Sequence, residues 1–327
     1  MAAVPSPRTR TAVAVALPWA TWAVLRATGS ERGFPLVPAM SFTPYAAATA
    51  VLPLGVALRL RSRAGALLSL GAGAVLAGAV LARRGLARRG QARHQEPPGT
   101  NRLRIASVSL RLGLVPAGPV VELIKAQDVD VLVVQELTPD ADRRLRAAGI
   151  DVVLPHSLVR HVPVGEPPAN GGGVWSRRPV REAEPVPGGF EQPTARLSGA
   201  AGAPDVDVTA VHLWPPTTPA SERQWRADLA ALPAPERGVL RVLAGDFNAS
   251  LDHTGLRRVL RLGYADAALV AGRGLTWTWA PLRFRFPRLS IDHVLVDPRI
   301  GVSEVRVFPV PGSDHRAVVA ELRLPES

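Results

Sequence analysis

The chain has 327 residues, 39 of them basic and 27 acidic, and no cysteine, which excludes disulfides, thiolate metal sites and thiol nucleophiles. The excess charge sits in residues 1–99, where twelve arginines face only Glu31 and Glu96, while residues 100–327 are nearly neutral. A strongly basic chain ordinarily suggests a nucleic-acid footprint, but here the arginines flank apolar stretches and read as the borders of membrane segments.

Three uncharged apolar stretches come first, Thr11–Leu25, Gly33–Leu58 and Ala64–Ala82. A bilayer core of roughly 30 Å takes about 20 apolar residues, which the second and third supply. The first is shorter and holds Pro18, with Trp19 and Trp22 as interface residues; its other reading is a secretory signal peptide. Residues 1–89 are therefore expected to be a multi-pass membrane anchor of two to three transmembrane helices. Arg59, Arg61 and Arg63 form one basic group, and Arg83, Arg84, Arg88, Arg89 and Arg93 another. The two fall on opposite faces if the third stretch crosses, so the positive-inside rule conflicts with itself. Three spans with Arg8 and Arg10 inside place the remainder of the chain outside the cytoplasm. Residues 90–101, containing Gln95-Glu96-Pro97-Pro98-Gly99, read as a polar linker.

From residue 102 onward short β runs alternate with helical stretches. Leu103–Val108 alternates as a strand, Val120–Ala126 suits a short helix, and Val129–Gln135 is a buried strand ending at Glu136. Val206–His212, Val239–Ala244, Val294–Val296 and Ala317–Ala320 are further β runs, with helices over 220–232 and 254–261. Many short strands with interleaved helices predict a mixed α/β core.

The chemistry-bearing residues gather at the ends of these runs. Gly245-Asp246-Phe247-Asn248 follows an apolar strand and points Asp246 and Asn248 the same way, although the same residues also form simple turns. Glu136 ends another strand, as a solvated edge carboxylate or as a ligand for a hard cation. Ile291-Asp292-His293 opens one run and Ser313-Asp314-His315 precedes the last, while His212 closes a third. One acid–histidine pair means little; two such pairs and a third histidine, all at strand ends, are harder to dismiss.

Glu136 in Val-Gln-Glu-Leu, Gly-Asp-Phe-Asn at 245–248, Ile-Asp-His-Val at 291–294 and Ser-Asp-His-Arg at 313–316 together resemble, in order, the endonuclease/exonuclease/phosphatase superfamily of DNase I-like enzymes. The resemblance covers residues 102–327 and implies a four-layer sandwich of two packed mixed β-sheets flanked by helices. It implies a phosphodiester or phosphomonoester hydrolase acting through metal-activated water, with Mg²⁺ or Mn²⁺ as cofactor. Glu136 takes the place of the principal metal ligand, with Asp246 and Asp314 as further candidates. His212 takes that of the histidine contacting the scissile phosphate, Asp246 that of the residue orienting water, and Asn248 that of its phosphate-binding neighbour. Asp292 matches another acid of the site, and Asp314 and His315 the terminal pair. The substrate is left open among nucleic acid, phospholipid headgroup and soluble ester, and the oligomeric state is left open altogether.

One departure stands out. Where the family carries an asparagine near the end of the first strand, this chain has Ser109, a shorter side chain with no amide. That serine is the sole direct support for the competing reading, a non-catalytic membrane-tethered binding module on a degenerate hydrolase fold. Asn170-Gly171-Gly172-Gly173, leading into Ser176-Arg177-Arg178-Pro179, reads either as a phosphate-approaching run or as a turn entering a strand, and Thr276–Trp279 as a rim strand whose aromatics are buried or exposed.

Overall fold

The computed structural model describes residues 6–93, 101–162, 166–167, 170–199 and 204–325. Two six-stranded sheets form its centre. In chain order the strands are β1 (Arg102–Ser109), β2 (Val131–Gln135), β3 (His156–Arg160), β4 (Gly172–Ser176), β5 (Val180–Ala183), β6 (Thr194–Leu197), β7 (Val206–His212), β8 (Leu240–Asp246), β9 (Ala265–Asp266), β10 (Asp292–Val296), β11 (Gly301–Pro309) and β12 (Arg316–Arg323). The first sheet runs β11-β12-β1-β2-β4-β3 and the second β5-β6-β7-β8-β10-β9. Leu103, Ile105, Val131 and Val133 of the first sheet meet Val208, Ala210, Val242 and Ala244 of the second in one buried core.

Each sheet buries its other face under helices, as alternating apolar residues on β1 and continuous apolar runs on β2 and β8 require. Helices α6 (Ala117–Ala126), α7 (Pro139–Ala147) and α8 (Ile150–Val153) cover the first sheet, and α9 (Pro219–Ala231) and α10 (Thr254–Arg261) the second. The result is the four-layer sandwich of DNase I-like proteins. Helix starts follow local chemistry: Thr138 accepts from Ala141 N–H ahead of Pro139, and Thr218 and Ser221 form a capping box on α9.

Each sheet contains one parallel pair joined through a helix, β1-α6-β2 and β7-α9-β8. Parallel strands finish at the same end of a sheet, and antiparallel neighbours begin there. Ser109, Gln135, His212 and Asp246 therefore end their strands at the edge where Asp292 opens β10 and His315 leads into β12. Within the second sheet the register places His212 opposite Asp246 and Asp246 opposite Asp292. Gly245, at φ 148°, fits because a Cβ there would stand 1.9 Å from the Val211 carbonyl oxygen.

The N-terminal region forms α1 (Pro7–Thr28), α2 (Leu36–Ala39), a 3₁₀ turn at Met40–Phe42, α3 (Thr43–Thr49), α4 (Val51–Arg59) and α5 (Arg63–Arg93). Of these, Arg63–Arg83 alone is long and apolar enough to span a bilayer by itself, with 22% of its window buried; Leu36–Thr49 and Val51–Arg59 qualify only together, bent by 44°. The stretch Gly33–Leu58, expected as one span, is broken where Pro35, Pro38, Pro44 and Pro53 interrupt it. Helix α1 does not reach the same apolar measure. Helix α5 runs through Arg93, so the expected linker at 90–101 begins inside a helix, and residues 94–100 lie outside those described.

These helices pack on the sandwich. Asp252, fully buried, accepts from Arg26 at 2.8 Å and from Arg83. The Glu31 carboxylate accepts from Thr254 N–H, and His253 Nε2 lies 2.9 Å from the Val37 carbonyl. Val37 itself is buried in the apolar layer with Leu213, Trp225 and Phe247.

Candidate active site

Asp246, Asp292 and His315 lie at the shared strand end, all buried, with one ligand atom from each within 4.8 Å of the others. His315 Nδ1 is 3.0 Å from both oxygens of Asp292, and its Nε2 is 3.8 Å from Asp246. Thr278 fixes the start of β10 by accepting from the N–H groups of Ile291 and Asp292, both at 3.1 Å. Ser313 fixes the other side: its hydroxyl donates to the Ser109 carbonyl at 3.0 Å and accepts from His315 N–H at 3.1 Å. One imidazole is thereby held between two carboxylates.

Asn248 braces Asp246. Its backbone N–H reaches one carboxylate oxygen at 2.8 Å and its amide the other at 3.1 Å, while the same amide donates to the Leu213 carbonyl at 2.8 Å. To do this Asn248 adopts φ 46°, and Glu136 stands at φ 56°. Left-handed backbone at a non-glycine residue is uncommon, and it concentrates where surrounding structure over-determines a functional side chain. Glu136 accepts from Ser109 Oγ at 2.8 Å and from Leu112 N–H at 2.6 Å. Ser109 thus supports the carboxylate directly, through a hydroxyl instead of an amide.

Burial disfavours charge on Asp246, and the neighbouring Asp292 carboxylate reinforces this, lifting Asp246 to about 8. Burial would lower His315, but Asp292 and Asp246 outweigh it and hold the imidazole up to about 10. His212 has no such carboxylate; burial, helped by the charge on His315, pushes it down to about 3. The site therefore carries one protonated and one neutral imidazole. His212 stacks on Phe190 at 4.1 Å between ring centroids, and Phe190 on Trp214 at 4.8 Å. Its Nδ1 is buried without a hydrogen-bond partner.

A cleft of about 440 Å³ opens over these residues. Glu136, His212, Asp246, Asn248 and His315 line it together. Asp292 reaches it through His315, whereas Asp314 accepts from the indole N–H of Trp279 at 3.1 Å on the cleft's flank. His293, next to Asp292, points to the opposite face, to Asp266 at 2.6 Å and the Ala249 carbonyl at 2.8 Å. The glycines at 171–173 are packed, not mobile: a Cβ on Gly171 would stand 2.4 Å from the Leu137 carbonyl, and Gly172 and Gly173 lie inside β4. Asn170, ahead of them, reaches the cleft wall.

Sequence reasoning did not find Phe190, Leu112 or the segment Pro38–Phe42, of which Pro38, Ser41 and Phe42 form part of the cleft wall. Gly189, where a Cβ would stand 1.7 Å from the Trp214 indole nitrogen, is the one local mark of the Phe190 stack.

Residues 109–315 match the model of the Endonuclease/Exonuclease/phosphatase family. The chain belongs to that family. Solved structures agree on the fold: the endonuclease/exonuclease/phosphatase of Beutenbergia cavernae at 22% identity and TM-score 0.53, covering 69% of this chain and 72% of that one; humanised D. rerio TDP2 at 15% and 0.53, covering 68% and 100%; and the Bacteroides vulgatus family member at 17% and 0.51, covering 69% and 100%. No protein of curated function matches at a significant level. Family members are in general metal-dependent phosphoesterases, and the donor set here suits that chemistry. Asp246, Asp292 and Glu136 offer oxygens, which hard divalent cations prefer. Asp246, Asp292 and His315 also bring one ligand atom each within 4.8 Å of the others, a spacing that could hold a metal ion.

Proposed function

We propose that this chain is a membrane-anchored hydrolase of phosphate esters, using Mg²⁺ or Mn²⁺ held by Glu136 with Asp246 as a further ligand. The observation that carries this reading is the convergence of Glu136, His212, Asp246, Asn248 and His315 on one cleft from the ends of four strands, β2, β7, β8 and β12. A divalent cation bound there supplies charge against the phosphoryl oxygens.

The protein's own groups do the rest. Asp246, braced on both oxygens by Asn248, orients a water and takes its proton. His315, kept protonated by Asp292, presents Nε2 to a phosphoryl oxygen as charge accumulates. The water oxygen bonds phosphorus, the ester P–O bond breaks, the leaving oxygen takes a proton from solvent, and Asp246 returns the water's proton to solvent. His212 stays neutral on the adjoining wall and orients the ester by hydrogen bonding. Ser109 bonds Glu136, which removes the main argument for a degenerate binding module.

The anchor reading draws on Arg63–Arg83 and on its exposed apolar face, where Leu67 is 71% exposed and Leu81 56%. Helices α1, α4 and α5 pack together so that Gly65 meets Ala12 and Ala57, far from the sandwich. Arg8, Arg10, Arg59, Arg61 and Arg63 thus share the distal end, whereas Arg26 and Arg83 at the near end are committed to Asp252. Taking Arg8 and Arg10 as cytoplasmic puts the distal end inside and the sandwich outside the cytoplasm, against the opposing basic group Arg84, Arg88, Arg89 and Arg93 at the near end.

The test is direct. Full-length protein in detergent should release phosphate or p-nitrophenol from a panel of mono- and diesters, with plasmid DNA alongside, only when Mg²⁺ or Mn²⁺ is present. A panel on which no ester turns over in a chelator-sensitive way overturns the reading.

A further inference from the structure

Resting on that hydrolase reading, the walls of the cleft indicate which esters it takes. Phe42 lines the catalytic cleft on one side and, on the other, a second groove of about 360 Å³ formed with Trp19, Trp22, Tyr45, Ala46 and Thr49. The groove borders the cleft across this one ring, which lines both, and is almost entirely apolar. Its polar atoms are mostly spent: Trp19 donates to Thr49 and Trp22 to Thr43, each at 3.1 Å. A ligand there is bound by burial of hydrocarbon, while five charged or polar side chains wait at the cleft end.

An independent feature lies at the same mouth. Residues 282–288 alternate exposed apolar and basic side chains, with Phe284 70% and Phe286 61% exposed between Arg283, Arg285 and Arg288. Tyr45 ties this loop to the groove: its hydroxyl donates to the Arg288 carbonyl at 2.9 Å and accepts from Arg288 N–H at 2.8 Å, and its ring meets Phe286 edge-on at 5.2 Å. Aromatic rings with arginines beside them suit the boundary between hydrocarbon and anionic headgroups. Pro287 and Leu289 of the same loop reach the cleft.

We infer that the substrate is an amphiphilic phosphate ester, its phosphate at His315 and Asp246 and its hydrocarbon chain in the Phe42–Trp22 groove, drawn from the lipid surface that the Phe284–Phe286 loop meets. The N-terminal helices then form the chain-binding half of the active site. A nucleic acid offers no hydrocarbon for this groove, and the near-neutral catalytic half provides little charge for a polyanion.

The experiment measures kcat/KM of the full-length protein on ethyl, octyl and hexadecyl esters of p-nitrophenyl phosphate, in mixed micelles at fixed surface concentration. Phosphodiester and phosphomonoester series run in parallel distinguish the two headgroup classes. Wild type should favour longer chains, by up to about fourfold per methylene over the first few carbons. Ala46→Trp, which fills the groove, should reduce the hexadecyl-to-ethyl ratio by about tenfold or more; Ala46→Leu is the milder variant should the first fail to fold. Partition into micelles alone would give one ratio in both proteins. Turnover indifferent to chain length, or a ratio unchanged by either variant, overturns the groove while leaving the hydrolase intact. Absence of chelator-sensitive turnover on every ester overturns the hydrolase reading and the groove with it.

Discussion

The Ser109 hydroxyl, at the end of β1, donates to one oxygen of Glu136 at 2.8 Å. The second oxygen of Glu136 is held by Leu112 N–H at 2.6 Å, which fixes the carboxylate plane from two directions. A supporting bond of this kind commonly sets metal affinity within a factor of 10–100. Ser109→Ala should therefore weaken Mn²⁺ binding by about 10–100-fold in calorimetry, and Ser109→Asn, which keeps a donor, should stay within about tenfold of wild type. Glu136→Gln should abolish cation binding, because it removes the charge itself. Equal affinity in all four proteins would remove Glu136 from the metal site.

Asp292 reaches the cleft through His315, whose Nδ1 lies 3.0 Å from both its oxygens. In the metal-free protein, Asp292→Asn should lower the His315 pKa from about 10, because it removes the carboxylate that offsets burial. NMR of the imidazole resonances across a pH titration reads this directly. Loss of activity without movement of the His315 titration would show that Asp292 works by another route.

His212 makes stability depend on pH in a determinate direction. Its folded pKa is about 3 against an unfolded value of 6.5, so between those limits the unfolded chain binds a proton that the folded chain refuses. The contribution of His212 is fully present above pH 6.5 and is lost as pH falls toward 3. Asp246, raised to about 8, works in the opposite sense and is common to both proteins compared. Thermal melts at pH 7 and pH 5 should therefore show a smaller acid-induced loss for His212→Asn than for wild type. An identical loss in both would mean that the imidazole is not kept neutral by burial.

Asp252 joins the N-terminal helices to the sandwich. Asp252→Ala leaves Arg26 and Arg83 without their acceptor, and an uncompensated buried charge typically costs about 3–5 kcal/mol. Tm should drop by several degrees, and KM should rise because Pro38, Ser41 and Phe42 are carried on the segment those arginines flank. A variant with unchanged Tm and KM would show the helices to be held by other contacts.

The absence of cysteine makes topology readily measurable. A single cysteine placed as Arg61→Cys should resist a membrane-impermeant maleimide in intact cells, and Phe284→Cys, on the catalytic side, should react. The reverse pattern would place the cleft in the cytoplasm.

Much of the site was legible because strand ends announce themselves. Val131–Gln135 and Leu240–Asp246 are apolar runs stopped by an acid or by Gly-Asp, and stopping residues at parallel strand ends share an edge. His212, Asp246, Asn248 and His315 follow from that logic. The short strands β5, β6 and β9 did not, because two to four residues carry no readable period. Phe190 and Phe42 were invisible for another reason: Phe190 is placed by stacking on His212 and Trp214, and Phe42 by a segment whose Val37 carbonyl meets His253. Apolar composition alone suggested one continuous second span, whereas four prolines divide it and turn its first part into cleft wall.

That wall bears on how the chain could be rearranged. Phe42 belongs to the segment one would discard in trimming the protein to a water-soluble fragment, and Val37 beside it is 2% exposed within the sandwich's own helical layer. Replacing everything before residue 102 would remove Pro38, Ser41 and Phe42 from the cleft that Glu136 also lines and strip Val37 from its seat. Under the proposed reading, recombination between relatives that exchanged only the N-terminal third would alter what is cleaved, not merely where.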